Sequence, residues 1–254
     1  MVYYKNDFSK FMKNLLILPV LLLCGAFVFG QDFNLPAEND YPKITASAQN
    51  VNDFVPKKWK IVAKAFGDLN KDKTQDCVLV IQGTDTRFFN KNDGLGADVY
   101  DTNLRVLLVL FKDAAKNRYT LAKQSNSFIK IPDAPTMSEP FQSVKVQNGV
   151  LQLDFEQWYS AGSWAANQMS YKFRFQDGEF VLIGADKTES ARNTGETETR
   201  SYNFLTGKAQ ITTGNFDSKR KKKVVWKTYK LDKLKTLDTF KEPYGWEIEY
   251  DYYI

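Results

Sequence analysis

Five oxygen-bearing residues occupy every second position of one short stretch: Asp68, Asn70, Asp72, Thr74 and Asp76. In a tight loop, side chains two apart turn toward the same side, and Thr74 can add its main-chain carbonyl. A hard cation such as Ca²⁺ takes 6–8 oxygens at about 2.3–2.6 Å, whereas Mg²⁺ demands stricter octahedral geometry, so calcium is the expected ion. Three carboxylates this close repel one another unless a positive charge offsets them. The same residues also read as a solvated hairpin loop, with Lys71 and Lys73 supplying the compensating charge.

A second group is aromatic. Trp158, Tyr159 and Trp164 surround the small residues Ser160, Ala161, Gly162 and Ser163. Rings on a turn can stack on sugar faces or anchor a protein partner, and they can equally pack into a core. Ser160 and Ser163 are not nucleophiles here: the chain contains no histidine, which removes Ser-His and Cys-His pairs and imidazole metal sites. Asp154 and Glu156 alternate with Leu153 and Phe155, placing both carboxylates on one strand face. Glycosidases need such a pair about 5–10 Å apart, but on an alternating strand the polar face is ordinarily the solvent face. Asp85, Asp93, Asp98 and Asp101 lie in the long segment 83–103, either a second cation site or ligand lip or a flexible hairpin tip. The run Lys219, Arg220, Lys221, Lys222, Lys223 suits a phosphate-rich surface or, more simply, a solvated tip that discourages edge pairing.

These groups must be positioned by strands. The chain has 254 residues, 43% hydrophobic and 15% aromatic, with period-two alternation throughout and few helical patterns. Strands are expected at 59–66, 77–82, 105–111 and 119–124. A second set, at 143–146, 150–156, 168–175 and 180–185, follows the proline-rich break at 131–135. A third covers 197–204, 208–213 and 224–229. Asn148-Gly149 and Asp177-Gly178 mark tight hairpins because both residues of each pair accept positive φ. Helix is expected only within 42–55 and 231–240. The fold class is therefore mainly β, antiparallel hairpins arranged either as blade-like sheets or as a β-sandwich. The regions 31–135 and 136–254 are read as N-terminal and C-terminal β regions, or as one continuous domain. The acidic, aromatic tail 242–254 reads as a last strand able to pair with a basic neighbour.

At the start of the chain, Lys10 and Lys13 precede an apolar run at 15–29, which is too short to span a bilayer but right for a signal-peptide core. Residues 1–30 are expected to be a signal peptide cleaved after Gly30. Lipid anchoring through Cys24 is disfavoured because Leu23 precedes it. Loss of Lys5, Lys10, Lys13 and Asp7 takes the net charge from +5 to +3, too mild for a nucleic-acid partner. Cys77 would then be the sole thiol, so no internal disulfide can form.

The stretch 65–81 carries Phe66-Gly67, the oxygen-bearing positions Asp68, Asn70, Asp72 and Asp76, and the apolar strand Val78, Leu79, Val80, Ile81. It resembles the calcium loop of FG-GAP repeats, also called VCBS-type or integrin-type, in which D-x-[DN]-x-D-G-x-x-D joins two strands. Lys73 stands where that loop carries Gly, at a sharp turn that favours positive φ. An EF-hand is a poorer comparison, since its twelfth position is Leu79. The resemblance implies a structural Ca²⁺ in an extracellular β protein of the kind found in adhesion or carbohydrate-associated proteins; the remainder resembles secreted bacterial proteins. The expected function is an exported, non-enzymatic binding or scaffolding module, periplasmic or extracellular. Its partner would be a glycan or another envelope protein, with no integral membrane span after signal cleavage. The alternatives are a carbohydrate-active hydrolase using paired carboxylates and an interaction partner or inhibitor of another secreted protein.

Overall fold

The run Val78, Leu79, Val80, Ile81 is apolar at every position because both of its faces are buried. It belongs to β3 (Asp76–Gly83), the fourth strand in a five-stranded sheet ordered β1-β7-β6-β3-β2, with β1 at Ser47–Ala48, β2 at Trp59–Gly67, β6 at Arg105–Asp113 and β7 at Arg118–Ser125. Val78, Val80, Leu107 and Val109 face a second sheet, while Cys77, Leu79, Ile81, Val106, Leu108 and Leu110 are covered on the other side by Phe54, Tyr41, Ile44 and Val51. The computed structural model describes residues 32–217, 219 and 221–254. The expected signal peptide, its cleavage after Gly30 and Cys24 lie outside the described residues.

The second sheet is a seven-stranded meander, β14-β13-β12-β11-β10-β9-β8: β8 (Phe141–Gln147), β9 (Val150–Gln157), β10 (Ala165–Gln176), β11 (Glu179–Ala191), β12 (Glu196–Asn203), β13 (Lys208–Asn215) and β14 (Lys223–Thr228). All pairings are antiparallel. The fold is mainly β and antiparallel, as expected, and of the two arrangements it is the sandwich. The second and third strand groups merge because β11 pairs with β10 along its length and with β12 from Gly184 onward. Asn148, Gly149, Asp177 and Gly178 all have positive φ, so both tight hairpins turn as their sequences require.

Residues Phe33–Ile254 form one compact unit. Leu151, Leu153, Phe155, Tyr171 and Phe173 supply the large sheet's share of the core, with Phe128 set edge-on to four of the surrounding rings, those of Phe155, Tyr171, Phe173 and Phe240. At one corner β2 meets β8 so closely that a Cβ on Gly67 would stand 2.5 Å from Val146 Cγ1. The chain after β14 lies on the inner face of the large sheet, adding Leu237, Phe240 and Ile254 to the core.

Neither expected helix forms. Segment 42–55 contains only a 3-10 turn, Val51–Phe54; Ala46 accepts the Leu121 N–H, and Ser47 and Ala48 pair with β7, so this segment's polar groups serve the sheet. In 231–240, β12 leaves the near side of 180–182 open, and the segment fills it: Leu182 donates to Lys235 and Leu237 donates to Phe180. Sheet edges thus outcompeted local helical spacing. The tail folds on itself as β15 (Glu247–Glu249) and β16 (Tyr252–Tyr253).

Candidate functional site

The β2–β3 loop is built from side-chain caps on its own backbone. Asp68 Oδ1 accepts the Lys71 N–H at 2.6 Å and Oδ2 the Lys73 N–H at 2.9 Å. Asn70 Oδ1 accepts from Asp72 N–H at 3.0 Å, and Asp72 Oδ1 from Thr74 N–H at 2.7 Å. Asn70 Nδ2 donates to the second Asp72 oxygen at 3.0 Å. Asp76 is fully buried and turns away from this row, accepting Leu69 N–H at 2.8 Å and Lys112 N–H at 3.0 Å. Burial pushes its carboxyl above the usual range against the pull of those two amides. Lys71 and Lys73 both adopt left-handed conformations, φ 66° and 69°, so a lysine takes the turn that the resembled loop gives to glycine.

The spacing read from the sequence is therefore real as a loop device, but the oxygens it aligns are engaged by amide hydrogens. A calcium ion would need them to converge on a common centre. Among the described residues no three acidic side chains come together in a way that could hold one ion. Asn70, Asp72 and Thr74 border a cleft with Lys112 and Asp113 instead.

The aromatic turn is not a three-ring platform. Trp158 lies under the Arg192 guanidinium, 4.9 Å from its ring centroid, and Tyr159 donates to Asp133 Oδ2 at 2.7 Å. Arg192 Nη2 also donates to the carbonyls of Tyr159 (2.9 Å) and Ser163. Trp164 alone is open, 69% exposed. Arg192, distant in sequence, is what holds this turn, and nothing in the local pattern signals it.

Asp154 and Glu156 do share a face, the outer face of the large sheet. Across the strands the register lines up Ser143, Asp154, Ser170, Asp186, Ser201 and Gln210 in one row, and Glu156, Gln168, Thr188, Thr199 and Thr212 in the next. Asp154 accepts from Ser143 Oγ (2.6 Å), Lys145 Nζ (2.8 Å), Gln152 Nε2 (2.7 Å) and Ser170 Oγ (2.5 Å). Burial alone would raise its carboxyl, but these donors hold it down to about 2. A general acid needs the reverse, a proton retained near neutral pH. A shallow cleft of about 390 Å³ opens here between Lys145, Asp154, Glu156, Gln168, Asp186 and Thr188. Alternation indicates which residues share this face; the register that brings Asp186 to Asp154 across Ser170 depends on pairings a sequence does not display.

The remaining candidates are structural in place. Segment 83–103 carries a small hairpin, β4 (Phe89–Lys91) with β5 (Val99–Asp101). Asn90 grips Asn34 by both its backbone N–H and carbonyl, and Asp85 and Asp101 cap Arg87 and Asn103. The tail's Glu249 meets basic neighbours, Arg200 Nη1 at 3.0 Å and Lys227 Nζ at 2.7 Å. Among the described residues no helix is long and apolar enough to cross a membrane. Compared with known proteins, the chain matches no family model, no curated protein and no solved structure, so the calcium-loop resemblance stands on its own residues.

Proposed function

We propose that the protein is an exported, non-catalytic binding module of the cell envelope or the space outside it, and that its ligand is a glycan taken on the outer face of the large sheet. The observation that carries this reading is the open polar cleft around Asp154, where a carboxylate held ionised at neutral pH is fixed by four donors. Rigid acceptors beside amide and hydroxyl groups suit sugar hydroxyls, which offer donor and acceptor at once. Trp164, 69% exposed on the bend just before β10, offers an open ring of the kind that stacks on a sugar face. The β2–β3 hairpin serves as a staple of the scaffold, held by its amide caps.

The test is glycan-array binding by the full chain. Glu156→Ala with Gln168→Ala, and separately Trp164→Ala, are expected to abolish the signal without lowering the melting temperature. Polysaccharide turnover that disappears in Glu156→Gln would replace this reading with a hydrolase.

A further inference from the structure

Among the described residues β14 has a strand neighbour only on its β13 side, and all six of its residues are exposed. Its pairing with β13 is regular from Lys223 to Thr228, with neither bulge nor proline to blunt the free edge. Val224, Val225 and Trp226 are 49%, 42% and 65% exposed. A straight, apolar edge of about 20 Å with unpaired backbone groups is a template for another strand. From Lys219 to Lys230 the sequence carries seven basic residues and no acidic one, and Lys221, Lys222 and Lys223 form no ion pair among the described residues. The chain's own tail already satisfies one position of this edge with acid, Glu249 at Lys227.

We propose that the β14 edge docks an extended segment of another protein that carries acidic residues at alternate positions, adding it as an eighth antiparallel strand. Charge decides against a second copy of this chain. Antiparallel self-pairing centred on Val225 sets Lys223 opposite Lys227 of the other copy, and slipping it one or two residues toward the amino terminus brings Lys222 or Lys221 there, a repulsive cross-strand pair in each of these registers. An acidic segment converts each of those pairs into an attraction while its backbone completes the open ladder. The alternation follows from the sheet: Lys223, Val225 and Lys227 lie on the face of Ile211 and Ala209, while Val224 and Trp226 lie on the face of Gln210 and Thr212. This surface is separate from the cleft around Asp154 and does not depend on its ligand.

The probe is a short acetylated peptide of alternating Glu and Val, titrated calorimetrically into the full chain, with amide exchange followed at β14. Saturable binding is expected, together with slower exchange along β14. Affinity should fall about tenfold or more in Lys221→Glu, Lys222→Glu, Lys223→Glu combined, whose side chains are exposed and whose melting temperature should hold. N-methylation of one set of alternate peptide amides should abolish binding and methylation of the other set should not. Absence of binding at about 1 mM peptide overturns the proposal, as does equal binding of a Lys-Val peptide or indifference to both methylation patterns. A concentration-dependent dimer of the unaltered chain, with β14 amide exchange slowed on dimerisation, overturns it in favour of a second copy.

Discussion

The carboxylate of Asp76, first residue of β3, accepts the N–H of Lys112 on β6 at 3.0 Å, and its other oxygen accepts Leu69 N–H at 2.8 Å. One buried side chain thus ties the hairpin loop to the neighbouring strand and seats Leu69, itself fully buried, in the core. Asp76→Ala leaves the buried Leu69 amide and the part-buried Lys112 amide without acceptors and should cost about 2–4 kcal/mol. Asp76→Asn keeps one acceptor and should cost less. Denaturant titration of the two variants measures the order; equal losses would mean that the caps contribute nothing.

The same caps bear on calcium. An ion held with a dissociation constant on the order of 10⁻⁴–10⁻³ M would add roughly 0.4–1.4 kcal/mol in about 1 mM calcium. With the Asp68, Asp72 and Asp76 oxygens already receiving N–H groups, the melting temperature is expected to agree within about 1 °C in calcium and in chelator. A rise of about 3 °C or more that vanishes in Asp72→Ala would restore the ion as a staple.

At the corner between the sheets, Gly67→Ala should cost about 1–3 kcal/mol, since the new methyl meets Val146 Cγ1 at 2.5 Å and the Val146 carbonyl at 3.3 Å. Val146→Ala in the same chain should recover most of that loss. A thermodynamic cycle in which the two changes add independently would show that the corner relaxes without this contact.

These residues show what the sequence could and could not disclose. Alternation and the two Asn-Gly and Asp-Gly turns located nearly every long strand, because a half-buried strand must alternate and a tight hairpin must have positive φ. The apolar run at 78–81 was legible as a strand; that both its faces are buried came from the two layers packed on it. The segments 42–55 and 231–240 misled because their apolar spacing fits a helix equally well, and what decides is the unpaired side of β7 and β11, a property of the assembled sheets. At the loop, the spacing marked Asp68, Asn70 and Asp72 as one row, but Asp76 turns away from it to cap Leu69 and Lys112. Whether their charge is met by a cation or by amide hydrogens is set by backbone geometry, including two lysines in left-handed conformations, that no residue identity specifies.

Asp154 makes the sharpest claim about pH. Its carboxyl lies at about 2 when folded, against an ordinary value of 3.8, so the folded state favours the ionised form. A depressed value contributes stability that is present above the unfolded value and is lost as pH falls through the folded one. Between pH 5 and pH 2 this amounts to about 2 kcal/mol. Asp76 works in the opposite direction: burial raises its carboxyl, so its ionisation costs stability as pH climbs through that raised value. Chemical denaturation across pH 5 to 2 is therefore expected to show wild type losing about 2 kcal/mol more than Asp154→Asn, because the amide has no proton to gain. Parallel curves would mean that Ser143, Lys145, Gln152 and Ser170 do not hold the carboxylate in solution, and with it would go the fixed anion around which the cleft is arranged.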